Sequence, residues 1–243
     1  VTIPLAGLRW GSATDVGLVR EQNEDALWAG DGLFAVADGM GGRLAGEVAS
    51  ALAIEQLRDH ARGGVGPTAT LVEAVGGANQ AIVESGSQSG ARRGMATTLT
   101  GLSLVAGPRW AVFNVGDSRV YRWADHQLAQ LTVDHSAVQE MVAAGFLDAD
   151  EARTHPRRNV VTRALGAVPS PDVDVWELPI TPGERFLVCS DGLTTELSDH
   201  EIAEALTSEA DPQAAAEQLV ALALQAGGHD NITVVVVDVA ESA

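Results

Sequence analysis

The sequence predicts a layered α+β protein in which antiparallel sheets are covered by helices. Three observations predict it. Strand-like runs, two long adjacent helical stretches, further strands, two helices and a final strand follow one another in an order that does not alternate as a βαβ chain would. The strand runs are joined by short turns bearing Gly and Pro, which suit antiparallel neighbours. The last run, Ile232 to Val239, is nearly all valine and reads as a buried strand.

In chain order, the first 37 residues read as strands. Ala26–Ala29 and Leu33–Ala37 flank the turn Gly30-Asp-Gly32, a strong hairpin signal. A helix is expected from about Leu44 to His60, with Leu44, Val48, Leu52 and Leu57 on its apolar face, and Gly63-Gly-Val-Gly-Pro67 ends it. A second helix is expected from about Thr68 to Glu84, with Leu71, Val75, Ala78 and Ile82 as its stripe and Gly76-Gly77 as a weak point. The period then changes to two: Thr97–Ala106, Trp110–Val115 and Arg119–Trp123 read as successive strands, with Gln127–Leu131 as a further one. Ser136–Ala144 reads as a short helix, and Glu151–Val161 as a polar insertion rich in Arg and His. Strands return at Val173–Leu178 and Arg185–Cys189, and helices at Glu201–Leu206 and Pro212–Gln225, the second with Pro at its start and Gly227-Gly228 beyond its end.

Composition narrows the function classes. The 243 residues are 46% hydrophobic but only 4% aromatic, so Ala, Val and Leu must fill the core. Thirty-three acidic residues face 15 basic ones, all Arg, for a formal charge of −18. Such a field repels nucleic-acid phosphates and anionic lipid, so neither is an expected partner. A mean hydropathy of +0.08 argues against disorder. One cysteine, Cys189, forms no internal disulfide, which favours a cytoplasmic location. Val1-Thr-Ile-Pro-Leu5 has neither a basic start nor an apolar core, so no secretory leader is expected. No linker divides the chain, and residues 1–243 are expected to form one domain with an insertion at about 135–165.

The residues that carry chemistry are aspartates at strand ends. Asp38-Gly39 follows Ala35-Val-Ala37, Asp117 follows Val115-Gly116, Asp191-Gly192 follows Leu187-Val-Cys-Ser190, and Asp230-Asn231 precedes the last strand. Glu24-Asp25 adds an acidic pair ahead of the second strand. Any one Asp-Gly is a common turn. Four that converged would form a like-charged cluster, stable only with cations between the carboxylates. All-oxygen donors select hard ions, Mg²⁺ or Mn²⁺, over zinc. A divalent-metal hydrolase follows, with Arg20 near the same rim as a phosphoryl-binding guanidinium or as the ion-pair partner of Glu21 or Glu24.

Nine ordered blocks add a resemblance: Gly17-Leu-Val-Arg20-Glu-Gln-Asn-Glu24-Asp25, Ala37-Asp38-Gly39-Met-Gly-Gly42, Gly94-Met-Ala-Thr-Thr98, Val115-Gly-Asp117-Ser-Arg119, Asp134-His-Ser136, His155-Pro-Arg-Arg-Asn159, Thr162-Arg-Ala-Leu-Gly166, Cys189-Ser-Asp191-Gly192 and Asp230-Asn231. In this order they resemble the compact bacterial form of the metal-dependent serine/threonine protein phosphatases, the PPM or protein phosphatase 2C family. The resemblance implies a four-layer α-β-β-α sandwich, two central antiparallel sheets flanked by helix pairs. It implies two Mn²⁺ or Mg²⁺ ions, with Asp38 bridging them, the Gly39 carbonyl on the first, and Asp191 and Asp230 on the second. Asp25 and Glu24 lie in its outer shell, and Asp117 with Asp191 matches a third metal. Arg20 is implied to grip the substrate phosphate, and the insertion, through residues such as Arg157 and Asn159, to form a flap that contacts substrate.

The implied reaction is hydrolysis of phosphoserine and phosphothreonine by a water or hydroxide shared by the two metals, without a covalent intermediate. Met40 stands where many eukaryotic relatives have a His, so the leaving group's proton is expected from metal-bound water or another group, with His135, His155 and His229 as candidates by residue type alone. The implied partners are phosphorylated proteins, Ser/Thr kinases and their substrates among them, and the implied state is a monomer. An inactive phosphoprotein-binding relative and a phosphatase of the anti-anti-sigma-factor type are the alternatives. The first is expected to lack a core aspartate and the second to lack the His155–Gly166 block.

Overall fold

A computed structural model describes residues 7–41, 45–107 and 109–240. Its strands are β1 (Leu8–Asp15), β2 (Asp25–Gly30), β3 (Leu33–Met40), β4 (Ala96–Thr97), β5 (Leu99–Val105), β6 (Arg109–Val115), β7 (Arg119–Ala124), β8 (Gln127–Gln130), β9 (Asp174–Pro179), β10 (Arg185–Cys189) and β11 (Ile232–Val239). Its helices are α1 (Gly46–Arg62), α2 (Thr68–Gln88), α3 (Ala137–Ala143), α4 (Ala149–Thr154), α5 (Asp191–Glu196), α6 (Asp199–Ser208) and α7 (Pro212–Ala226). One antiparallel sheet has the order β1-β11-β10-β7-β8; the other runs β2-β3-β5-β6-β9, with β4 paired to β3.

The two sheets pack face to face, and alternation along each strand feeds three apolar layers. In β11, Val235, Val237 and Val239 face the opposite sheet, whereas Ile232, Val234 and Val236 face α5, α6 and α7. In β3, Phe34 and Val36 point between the sheets while Leu33, Ala35 and Ala37 meet α1 and α2. The few aromatics are concentrated in the central layer. Phe34 and Trp110 lie 6.0 Å apart and Trp110 and Phe186 also 6.0 Å apart, both near edge-to-face. The result is the four-layer α-β-β-α sandwich.

Several expectations are refined. The buried stripe of α1 is Ala49, Ala53, Ile54, Leu57 and Ala61, while Val48 and Leu52 are only partly buried. Alanine brings the helix axis close to the sheet, and the larger side chains spread to its margins. Leu44 and Gly42 lie outside the described residues. Helix α2 passes through Gly76-Gly77 unbroken and keeps its expected stripe. The run from Thr97 divides at Thr98 into β4 and β5. The polar insertion contains α4, started by a capping box in which Asp148 and Glu151 each accept the other's backbone N–H. Helix α5, which the sequence pattern does not announce, follows β10 directly.

Antiparallel pairing sets the site. The C-terminal ends of β3, β6 and β10 and the N-terminal starts of β2, β7 and β11 meet at one end of the sandwich. Asp25 of β2 lies directly opposite Asp38 of β3, and Cys189 opposite both Val234 and Arg119. The expected aspartates at or just beyond these strand ends are therefore drawn to a common rim.

Candidate active site

Asp38 occupies a fixed piece of backbone. Its N–H donates to Thr98 Oγ1 at 2.9 Å, and its carbonyl accepts from Thr98 N–H and Thr97 Oγ1, both at 2.9 Å. A Cβ at the next residue, Gly39, would overlap the carbonyls of Gly46 and Glu24, so only glycine passes between β2 and α1 there. Asp191 opens α5, and a Cβ at Gly192 would overlap the Asn231 carbonyl. That close approach brings the backbone carrying Asp191 against the one carrying Asp230.

The buried carboxyls of Asp38 and Asp191 are close neighbours, and each acts on the other's ionisation. Burial, then the charges of Asp25, Asp191, Asp117 and Asp230, raises the Asp38 pKa well above the ordinary carboxylate range. Burial and the Asp230 charge raise Asp191. Burial pushes Asp25 up to about 7 against the hydrogen bonds of Thr233 and Ser190, the Ser190 hydroxyl donating to Oδ2 at 2.8 Å. The other oxygen of Asp25, Oδ1, is buried without a hydrogen-bond partner. Asp117, on the β6–β7 turn, is likewise raised well above its ordinary value by burial and then by the Asp191 charge. Arg20 donates to Asp230 Oδ2 at 2.7 Å, and this bond, with the fields of Asp38 and Asp191, raises its pKa.

The geometry suits hard cations. Buried carboxyls crowded together need protons or cations between them, and an orphaned buried carboxylate oxygen needs a donor or a water that a metal would hold. Among the described residues, no three His, Cys, Asp or Glu side chains converge tightly enough to enclose an ion by themselves. Mg²⁺-like ions do not require that, since they keep several waters and take one or two carboxylates.

The other expected residues fall in different places. Glu24 is half-buried with its carboxyl beside the Gly46 backbone at the start of α1, while its own N–H donates to Asn231 Oδ1 at 2.8 Å. A cavity of about 370 Å³ joins Asp117 and Asp191 to Arg153, Arg158 and Asn159 of the insertion. Arg157 is exposed and does not line it; its N–H caps His155 Nδ1 at 3.1 Å. His229 is bonded to Glu196, and His135 is buried against the Gly116 backbone. Cys189 is fully buried and its thiol is pushed up to about 12, which makes it inert as a nucleophile. Thr98 and Ser190 support the site through contacts no local pattern reveals, and Asn231 supports it as well. Asn231 alone carries a local cue, an amide side chain beside Asp230, and its Nδ2 donates to the carbonyls of Val16 and Gln22.

Fold and site together define a class: a double antiparallel sandwich with a carboxylate centre suited to hard divalent cations. The sequence model of the family described as Protein phosphatase 2C matches residues 20–225, and the chain belongs to that family. It is 44% identical over 239 residues to the serine/threonine protein phosphatase PstP of Mycobacterium tuberculosis, covering 96% of this chain and 45% of that protein. It is 36% identical over 244 residues to the serine/threonine phosphatase stp of Listeria monocytogenes, covering 93% of each. The chain thus spans less than half the length of the mycobacterial relative it matches. The crystal structure of the PstP catalytic domain in complex with two manganese ions superposes with a TM-score of 0.87 at 41% identity, covering 96% of this chain and 99% of that one.

Proposed function

We propose that this chain hydrolyses phosphoserine and phosphothreonine in proteins, with two Mn²⁺ or Mg²⁺ ions at the Asp38–Asp191 pair. The observation that carries this is the crowding of these two buried carboxyls with Asp25, whose Oδ1 is buried without a partner, and with Asp230, over which Arg20 reaches. Asp38 and the Gly39 carbonyl would hold one ion, and Asp38, Asp191 and Asp230 the other. Asp117 with Asp191 would hold a third, and Asp25 and Glu24 would orient waters around them. When bound, such ions lower the pKa of water and offset charge on phosphoryl oxygens.

The chain's own residues do the rest. Arg20, about half exposed in its pairing with Asp230, presents its guanidinium to the phosphate and fixes its orientation. Burial of the carboxylate rim lowers the local dielectric and strengthens each charge contact. The insertion at 135–165 forms the flap, and Arg153, Arg158 and Asn159 line the cavity along which a substrate segment lies. Asp38, Asp191 and Asp230 are all present and mutually placed, so no missing residue supports an inactive relative. The His155–Gly166 block is intact too, against the anti-anti-sigma-factor type.

The substrates are phosphorylated proteins, Ser/Thr kinases and their targets among them, and the domain acts as a cytoplasmic monomer without nucleic acid or membrane. Among the described residues, no helix is long and apolar enough to cross a membrane. The test is hydrolysis of a phosphothreonine peptide with Mn²⁺, with Mg²⁺ and with excess chelator. Turnover is expected only with metal, and Asp38→Ala is expected to remove it by roughly 10²–10³-fold or more. Metal-independent turnover, or full activity in Asp38→Ala, would overturn the reading.

A further inference from the structure

Beyond the acidic rim, His135 ties two parts of the molecule together. Its ring Nδ1 accepts the backbone N–H of Gly116 at 3.0 Å, and its own backbone N–H donates to the Gly116 carbonyl at 2.9 Å. The same carbonyl accepts from Asn114 Nδ2 at 3.1 Å. Both faces of one peptide residue are thus gripped, at a glycine with φ of +118° where a Cβ would overlap Thr98. Asp117 is the next residue.

Because Nδ1 is an acceptor, the ring proton sits on Nε2, which donates to Asp174 Oδ2 at 3.1 Å. The other Asp174 oxygen accepts from Arg163 Nη1 at 3.0 Å. Asp174 starts β9 and Arg163 lies near the end of the insertion, so the imidazole is fixed from both ends. The backbone carbonyl of His135 also accepts from Thr162 N–H at 2.8 Å, closing the base of the insertion.

We propose that His135 is a positioning residue for Asp117: its Nδ1 aims the Gly116–Asp117 turn, and Asp174 with Arg163 holds the ring in the tautomer that this requires. This rests on the function proposed above, in which Asp117 with Asp191 holds a cation. Loss of the Nδ1 acceptor leaves the Gly116 N–H unpaired and lets the turn rotate, so the Asp117 carboxylate no longer converges with Asp191.

Two substitutions separate the two ring nitrogens. Asn places its amide oxygen where Nδ1 stands and keeps the bond from Gly116; Gln reaches the Nε2 position and keeps the bond to Asp174 only. Mn²⁺ binding by calorimetry, with kcat and KM for a phosphothreonine peptide across a Mn²⁺ titration, reads the difference. His135→Gln is expected to weaken the weakest Mn²⁺ step by about 10–100-fold, the range for lost outer-shell support, and His135→Asn by no more than about threefold. Excess Mn²⁺ is expected to restore kcat in His135→Gln with KM unchanged. Asp174→Ala, at a side chain 40% exposed and tolerant of change, guards against misfolding of the ring variants and is expected to show a smaller loss in the same Mn²⁺ step. Equal loss in Asn and Gln would make His135 a packing residue, and wild-type binding in both with Asp174→Ala also unaffected would overturn its role. Wild-type protein that neither binds Mn²⁺ nor turns over would instead sink the function itself.

Discussion

Gly192 shows how a single residue position can set the shape of the acidic rim. It follows Asp191, and the space its side chain would take is filled by the carbonyl of Asn231, the residue after Asp230. Gly192→Ala must therefore push the β10–α5 junction away from the start of β11. The expected cost is about 1–3 kcal/mol of stability, the range for overpacking, and a rise in the Mn²⁺ concentration needed for half-maximal activity. Thermal unfolding and a metal titration check it; an alanine variant with unchanged metal demand would mean that the approach of the two loops is incidental. At this scale the aspartates were legible, because four acidic turns bordering apolar strands stand out together where any one of them would be an ordinary turn. Their supports were not. Thr98 bonds Asp38 across 60 residues and Ser190 bonds Asp25 across 165, and no local signal records such distances.

Helix α5 carries the same logic at the level of an element. Asp191 is its first residue and Glu196 its last. The Glu196 side chain is almost fully buried, and its Oε1 accepts both the N–H and the Nδ1–H of His229, at 2.9 and 2.7 Å. A helix of under two turns thus grips the loop holding one aspartate of the acidic rim while presenting another. Glu196→Ala removes the acceptor of both bonds, at a cost of about 0.5–1.5 kcal/mol because water reaches the exposed His229 donors, and frees the Asp230 loop. Its melting temperature is expected to fall and its Mn²⁺ requirement to rise, with Glu196→Gln recovering part of both through an amide oxygen at the same place. Equal behaviour of the Ala and Gln variants would remove the clamp from the argument. The sequence pattern missed α5 because six residues hold too little periodicity to register. It misplaced the buried face of α1 for a related reason: Ala49, Ala53 and Ala61 weigh less on a hydrophobicity count than Val48 and Leu52, yet they permit the closest approach to the sheet. The strands were legible almost throughout, since alternation with both faces buried survives in Val- and Ala-rich runs.

Across the whole molecule, the acidic rim makes stability depend on metal and pH together. Asp25 is pushed up to about 7 and Asp38, Asp117 and Asp191 are raised as well, mainly by burial and then by one another's charge. Without metal, the folded state binds more protons than the unfolded chain between the ordinary carboxylate value of 3.8 and these raised values. The pH derivative of the unfolding free energy is then negative, so the metal-free protein loses stability as pH rises through this window. Metal acts in the opposite sense, because the carboxylates must shed their protons to bind it. Its stabilisation, about 2.7 kcal/mol at a hundredfold excess over Kd, is largest where the metal-free form is weakest. Melting curves from about pH 5.5 to 8, kept above the pI of 4.5, are expected to fall with rising pH in chelator. The same curves in Mn²⁺ are expected to diverge upward as pH rises. The net charge of −18 contributes a slope of the same sign through general repulsion, which salt screens. Asp38→Asn separates the two contributions: it removes one buried charge, raises the metal-free melting temperature near pH 7.5, and narrows the gap that Mn²⁺ opens. A metal-free protein whose melting temperature is flat or rising from pH 5.5 to 7.5 would show that the carboxylates are ionised without penalty. A cluster of that kind would have no need of cations, and the physical case for a metal centre at this rim would go with it.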